Sequence, residues 1–399
     1  MLKWIFLLGL ALLFWYLRRN YASEKNYSHQ LAKRTTHQTP QLFSLDGVLN
    51  EHGHGKHHYK DINLDTHPGA NYFSQKNLDL GRFKKIDSTR VFEDGKQLTQ
   101  VTFMDTGYSL LLITSEFDFG TSKENVFSQE FPKVFAMKKD TIELKWSTNI
   151  AFDKEYVAKF AIKDLGLEYS STGKMDNDHK FHAELSVKAK DKESGNNAVD
   201  LKYSMKSFES SLEIKPLDKN LGRKYFYYLE RYYSTLTTPT TSLPTLAVKE
   251  YKRAILPYLN HYSQCTGFAQ VDNLASPVYF QMGTGLNADQ SDEYSHADVG
   301  LIGGKEVHFL PVRIKHDPLN FMNGWTLTTE TVLEGEEPQV NLSLVSVKYS
   351  PKSYSLMGIY EWKIEQVFGF WSGYITDSEG RRIKIENAIG MCETHLYRF

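Results

Sequence analysis

The chain has 399 residues, 41% hydrophobic and 24% charged, which builds one large or two ordinary globular domains and excludes a disordered protein. A formal net charge of −1 supplies no field for nucleic acid, and two cysteines exclude a disulfide-stapled scaffold. Aromatic residues reach 14%, which suits pleated, half-buried surfaces and aromatic-lined pockets.

Trp4–Leu17 reads WIFLLGLALLFWYL, without a polar or charged side chain, between Lys3 and Arg18-Arg19. With Met1, Leu2 and the snorkelling Lys3 it approaches the roughly 17–25 residues of a spanning helix. Trp4, Trp15 and Tyr16 fall where an aromatic belt lies, and Arg18, Arg19, Asn20 and Tyr21 fit a cleavage site poorly. The reading is a transmembrane anchor over 1–19, touching the membrane through residues 4–17. The protein is then single-pass, and two arginines against one lysine place its body on the cytoplasmic side.

Residues 20–60 are polar, rich in Lys, Thr, Gln and His, and read as a flexible tether. His52, His54, His57 and His58, with His67 nearby, have spacings that can ligate zinc or copper. Glycines between them leave no preformed geometry, so a polar linker is expected and neither a metal nor a cofactor.

Beyond the tether, period-2 alternation dominates. Thr141–Trp146 puts Ile142, Leu144 and Trp146 on one face; Tyr156, Ala158, Phe160 and Ile162 repeat the pattern. Phe181–Lys190 alternates without error, followed by Leu201, Tyr203 and Met205, then Leu212 and Ile214. In the second half Val340, Leu342 and Leu344 alternate with polar residues, as do Ile383 and Ile385. Glu93-Asp94-Gly95, Ser194-Gly195-Asn196-Asn197 and Asp377-Ser378-Glu379-Gly380 supply turns. Leu246–Leu256 could make about three helical turns before Pro257 ends it, and Tyr225–Tyr233 is either a short helix or an aromatic strand.

Many short alternating strands imply an all-β protein of antiparallel barrels or sandwiches with one wet face. Their number exceeds one small barrel, so two are expected, over 61–225 and 226–399. The scarcity of cysteine favours unpaired thiols at Cys265 and Cys392, with one bridge between them left open.

Residues 369–399 carry the clearest signature, GFWSGYITDSEGRRIKIENAIGMCETHLYRF. A Gly-aromatic-x-Ser-Gly strand (Gly369, Phe370, Ser372, Gly373) leads to an Asp-x-x-Gly turn (Asp377, Gly380). A Gly-x-x-Glu strand (Gly390, Glu393) then closes on Arg398-Phe399. This resembles the closing strands of a family of two-barrel, lipocalin-like (calycin-type) proteins. Tyr232-Tyr233-Ser234 is similar to a signature of the carotenoid hydratase, or hydroxyneurosporene synthase, group, which shares the paired-barrel plan. That group's Gly-x-x-Trp-x-Asp-His segment is not reproduced; the nearest stretch, Ser295–Gly300, lacks the Trp and reverses His and Asp.

Glu393, His395 and Tyr397 alternate on one face of the last strand with Ile389, Met391 and Phe399. An acid, a base and a phenol among apolar neighbours form a candidate pocket floor. Desolvation would raise the Glu393 pKa and make it a proton donor to an alkene or lipid carbonyl. The bland alternative pairs Glu393 with Arg398 or Arg382. The candidate catalytic residues are Glu393 and His395, and the candidate ligand-binding residues are Tyr397, Met391, Trp371, Phe370 and Trp362. Trp325 and Phe368 join these aromatics as possible cavity lining or as ordinary core.

Met282–Leu286 and Gly300–Lys305 are glycine-rich but match no phosphate loop, and read as hairpin turns. His179, His182 and His296 meet no Gly-x-Ser-x-Gly elbow and support no nucleophilic triad. The function expected is a membrane-tethered protein that binds a hydrophobic small molecule, a lipid or isoprenoid. The alternatives are a hydratase- or isomerase-type enzyme on a lipid substrate and a non-catalytic protein-binding scaffold.

Overall fold

A computed structural model of the chain describes residues 83–106, 109–132, 141–145, 155–162, 167–176, 180–190, 197–216, 226–236, 245–256, 259–272, 276–284, 298–329, 337–356 and 360–398, with short pieces at 9, 11, 44–46, 49, 53–55 and 274. The protein is all-β, as the alternation implies, and forms two curled antiparallel sheets.

The first sheet holds twelve strands: β1 (Gly53–Gly55), β2 (Phe83–Glu93), β3 (Gln97–Asp105), β4 (Ser109–Asp118), β5 (Lys123–Pro132), β6 (Thr141–Lys145), β7 (Glu155–Ile162), β8 (Leu167–Met175), β9 (Phe181–Lys190), β10 (Asn197–Pro216), β11 (Phe226–Leu236) and β12 (Thr245–Ile255). Its order is β5-β4-β3-β2-β12-β11-β10-β9-β8-β7-β6, with β1 added to β10. The second sheet holds β13 (Leu259–Ala269), β14 (Val278–Thr284), β15 (Val299–Ile302), β16 (Lys305–His308), β17 (Val312–His316), β18 (Trp325–Thr329), β19 (Val340–Leu356), β20 (Tyr360–Thr376) and β21 (Arg382–Arg398). Its order is β16-β15-β14-β13-β21-β20-β19-β18-β17, so the last strand pairs between the first and the third of the sheet's long strands.

Hairpin chemistry sets the registers. Asp94 and Gly95 both take positive φ (55° and 62°) between β2 and β3, the conformation of a two-residue hairpin turn. Gly303 and Gly304 do the same (61° and 76°) between β15 and β16, which makes that glycine-rich stretch the hairpin expected of it. Asp377 accepts the backbone N–H of Glu379 and of Arg381, closing the turn before β21. The alternation of β9 survives into the structure, with Phe181, Ala183, Leu185, Val187 and Ala189 all buried.

Packing divides into layers. The inner face of the first sheet buries one cluster, including Phe103, Phe160, Tyr169, Phe181 and Tyr232. The inner face of the second buries another around Phe280, Trp325 and Trp371. The two sheets then press together through two apolar clusters. One joins Phe92, Phe117 and Val248 to Phe268, Phe368 and Met391; the other joins Met104 and Ile113 to Trp362, Ile364 and Tyr397. Phe117 stacks on Phe368 at 4.3 Å across this seam.

Several expectations are corrected. Leu246–Leu256 is not a helix: 245–255 is strand β12, with all eleven residues buried. Its charged residues mimic helical spacing only because both faces of the strand are covered, one by the first sheet's interior and one by the second sheet. Of the stretch 225–233, residues 226–233 are strand and belong to β11, and Tyr225 lies outside the described residues. Because β11 and β12 pair within the first sheet, the chain changes sheet between Ile255 and Leu259, after the boundary expected at 225/226. Cys265 and Cys392 are not free thiols. They stand directly opposite each other on β13 and β21 and form a disulfide, because that register brings their Cα atoms to 4.1 Å. The anchor expected over 4–17 lies outside the described residues apart from Gly9 and Ala11. Among the described residues no helix is long and apolar enough to cross a membrane.

The C-terminal glycines have a steric reason. Gly369 and Gly390 face each other across β20 and β21. A Cβ on Gly390 would lie 2.2 Å from the Thr266 carbonyl oxygen and 2.5 Å from Trp371 Nε1. The Trp371 indole lies over that bare backbone and donates to the same Thr266 carbonyl at 2.9 Å.

Candidate functional site

On β21 the odd-numbered side chains from Ile389 to Tyr397 face the other sheet, while Ala388 and Cys392 face the second sheet's interior. Glu393, His395 and Tyr397 therefore reach the seam together, as their spacing implies. There they line a cavity of about 40 Å3 between the two apolar clusters. Its walls come from both sheets: Arg90 of β2, Gln100 of β3 and Lys252 of β12 face Lys352 of β19, Gln366 of β20 and the β21 residues. Ile86, Met104, Ile113 and Ile364 complete it on the apolar side. The cavity described here thus lies between the sheets and not inside either one.

His395 is the centre of the arrangement. Its Nδ1 lies 3.0 Å from the Tyr397 hydroxyl. The Tyr262 ring stacks on the imidazole at 4.3 Å and 7°. Its Nε2 sits 3.1 Å from Glu393 Oε1 but without the alignment of a hydrogen bond, so this nitrogen is unsatisfied.

Glu393 is 2% exposed, and burial alone would raise its pKa. His395, Arg90 and Lys352 outweigh that and bring it down to about 2. Arg90 Nη2 is 3.6 Å from Glu393 Oε1. The expectation of a neutral, proton-donating Glu393 is therefore corrected: Arg90 and Lys352 beside it favour the carboxylate. Neither Arg398, which pairs with Glu361 at 3.1 Å, nor Arg382, which pairs with Glu337, is the partner proposed for it.

Behind the pocket runs a buried ionic network. Glu250 of β12 receives Arg90 Nη1 at 2.9 Å, Lys252 Nζ at 2.9 Å, Arg231 Nε at 3.2 Å and Gln281 Nε2 at 2.8 Å. These cations hold the Glu250 carboxyl well below its usual range despite its burial. Glu306 takes hydroxyl hydrogen bonds from Ser211 and Tyr233, both at 2.6 Å. On the other side, Glu124 accepts from Ser350 at 2.7 Å and Ser115 at 3.1 Å and lies 3.6 Å from Lys352 Nζ.

The remaining candidates separate. Met391 adjoins the site, its Sδ accepting from Gln366 Nε2 at 3.0 Å. Trp362 lies beside it and donates to Glu130 at 3.0 Å. Phe370 packs with Phe119 in the seam, at 5.4 Å. Trp371 and Trp325 point the opposite way, into the second sheet's own core. His182 pairs with Asp176 at 2.8 Å, away from the site. Asp298, in the segment nearest the hydratase motif, accepts the backbone N–H of Gly283 and of Val312. Of the histidine run, residues 53–55 form β1 against β10 and the rest lies outside the described residues; among those described, no group of side chains is set to hold a metal.

Arg90, Gln100, Lys252, Lys352 and Gln366 were not singled out from the sequence. No local signal marked them, because the faces they share also carry Ser88, Thr102 and Ser115.

Family comparison covers nearly the whole chain: residues 32–399 match the family described as domain of unknown function DUF2804. The protein belongs to that family. Among solved structures this DUF2804 chain is similar to kievitone hydratase from Nectria haematococca, with 7% identity, 81% of this chain and 90% of that chain covered, and a TM-score of 0.34. No curated protein matches it.

Proposed function

We propose that the inter-sheet pocket of this DUF2804 protein is an acid–base site of the hydratase or isomerase kind, acting on an unsaturated lipophilic molecule. The observation that carries this reading is the unsatisfied His395 Nε2, buried in a cavity, with Tyr397 on its other nitrogen and a permanent carboxylate at 3.1 Å. Such an imidazole takes a proton from water or from an allylic carbon, and Glu393 stabilises the imidazolium that forms. Tyr397 and the stacked Tyr262 hold the ring in place. The same proton returns to the substrate in the second half of the reaction. Water added across a double bond gives a hydratase; proton return to a different carbon gives an isomerase.

A binding role for a whole lipid within a barrel lumen has less support. The inner faces of both sheets carry packed clusters of buried side chains, and the described cavity is small. In this proposal the apolar segment Trp4–Leu17 holds the pocket beside a membrane in which lipophilic substrates are concentrated.

Incubating the protein with a panel of enones, allylic alcohols and isoprenoids in H218O or D2O tests the idea. Mass spectrometry should find labelled water added or deuterium incorporated with the wild type, and neither with His395→Asn. A wild type that leaves every compound of the panel unlabelled would sink it.

A further inference from the structure

The cations that line the pocket outnumber its carboxylates. Arg90, Lys252 and Lys352 reach the cavity wall, and Glu393 is the carboxylate among the lining side chains. Glu250 and Glu124, which pair with Lys252 and Lys352 at 2.9 and 3.6 Å, stand behind the wall. The open ends around Glu393 are donors as well. Arg90 Nε has no hydrogen-bond partner although Arg90 is only 2% exposed. Gln264, 7% exposed and directly opposite Glu393 in the β13–β21 register, has an unsatisfied Nε2. Buried donors without acceptors are costly, and a ligand that supplies the acceptors removes that cost.

We infer that the substrate of this site carries a carboxylate, which enters the seam and binds between Arg90, Lys252 and Lys352. The inference rests on the acid–base reading above and names the substrate class for it. A cavity of about 40 Å3 has room for about three water-sized groups, which fits a carboxylate and not a whole molecule. Ile86, Met104, Ile113 and Ile364 on the adjoining wall suit an apolar chain attached to it, which favours an acyl carboxylate over inorganic phosphate. Held this way, the carbons next to the carboxylate come near His395. For an α,β-unsaturated acid the chemistry closes: His395 takes a proton from water, and the water oxygen bonds to the β-carbon. The π electrons move onto the carboxylate, where the three cations receive them, and the proton is delivered to the α-carbon.

Isothermal titration of the full chain with trans-2-hexenoate, its methyl ester and inorganic phosphate tests this. Hexenoate should bind at least about tenfold more tightly than the ester, as a charge-assisted contact implies. Lys352→Met should remove that advantage, and Lys352→Arg should keep it. Equal binding of acid and ester, binding of neither, or phosphate competing as well as hexenoate would each overturn the assignment, and none of these comparisons needs a variant that folds. Mass analysis of the same mixtures separates the two ideas. Hexenoate bound through Lys352 but never hydrated would leave the carboxylate site standing and remove the acid–base function. Water added to the ester as readily as to the acid would do the reverse.

Discussion

Glu393 and Gly390 show how much one side chain, or its absence, decides on β21. The Glu393 pKa is depressed from 4.5 to about 2, so its carboxylate stabilises the folded state fully above about pH 4.5. That contribution is lost as pH falls through 2, and the shift corresponds to about 3 kcal/mol. In acid unfolding, Glu393→Gln should flatten the stability–pH curve between pH 4.5 and 2 relative to wild type; an unchanged slope there would count against the ionic pairing. Turnover should not show an acid limb from Glu393 in the neutral range, whereas His395→Asn should cost about 10²–10⁴-fold in rate. Gly390→Ala places a methyl against the Thr266 carbonyl and the Trp371 indole, and denaturant melts should show a loss of about 1–3 kcal/mol or more. At this scale the sequence was informative. The alternation through Tyr397 put Glu393, His395 and Tyr397 on one face of the last strand, because a strand's period is geometric. The charge state of Glu393 was not legible, since Arg90 lies on a strand of the other sheet.

Strand β12 is where local reading failed, for a physical reason. A half-buried strand shows polar and apolar residues in turn, and β9 does so. β12 has no wet face, and each of its faces mixes apolar and charged groups. One face carries Val248, Glu250 and Lys252 to the seam. The other carries Lys249, which donates to Thr89 at 3.1 Å and Ser171 at 2.9 Å and pairs with Asp87 inside the first sheet. Glu250→Gln leaves Arg90, Arg231 and Lys252 short of a shared counter-charge in a buried place. Chemical denaturation should record a loss of about 3–5 kcal/mol. Glu386→Gln, which removes an exposed partner of Lys384, should cost no more than about 1 kcal/mol. Similar losses for the two would mean that the Glu250 network is solvated.

For the whole molecule, the all-β class and two-sheet plan were written in the turns and alternation. The division between the sheets was not, because a strand's sheet is decided by pairing partners far away in sequence. The disulfide was hidden for the same reason: Cys265 and Cys392 are 127 residues apart and meet only through the β13–β21 register. Closing so long a loop should stabilise by about 2–4 kcal/mol. Urea unfolding with and without a reducing agent should reveal that difference, and coincident curves would show that the bridge contributes nothing.

Arg90, Lys252 and Gln100 ride on one sheet, and Glu393, His395 and Lys352 on the other. Each set is rigid within its own hydrogen-bonded ladder, so the distances that shape the pocket are those across the seam. The pocket therefore behaves like the gap of a vice with two stiff jaws. Sliding one sheet over the other by an ångström would leave every strand intact yet pull Arg90 away from Glu393, already 3.6 Å apart, and loosen the hold on the carboxylate. Substitutions at seam aromatics such as Phe117 or Phe368, which never touch the pocket, are thus adjusting screws for its geometry.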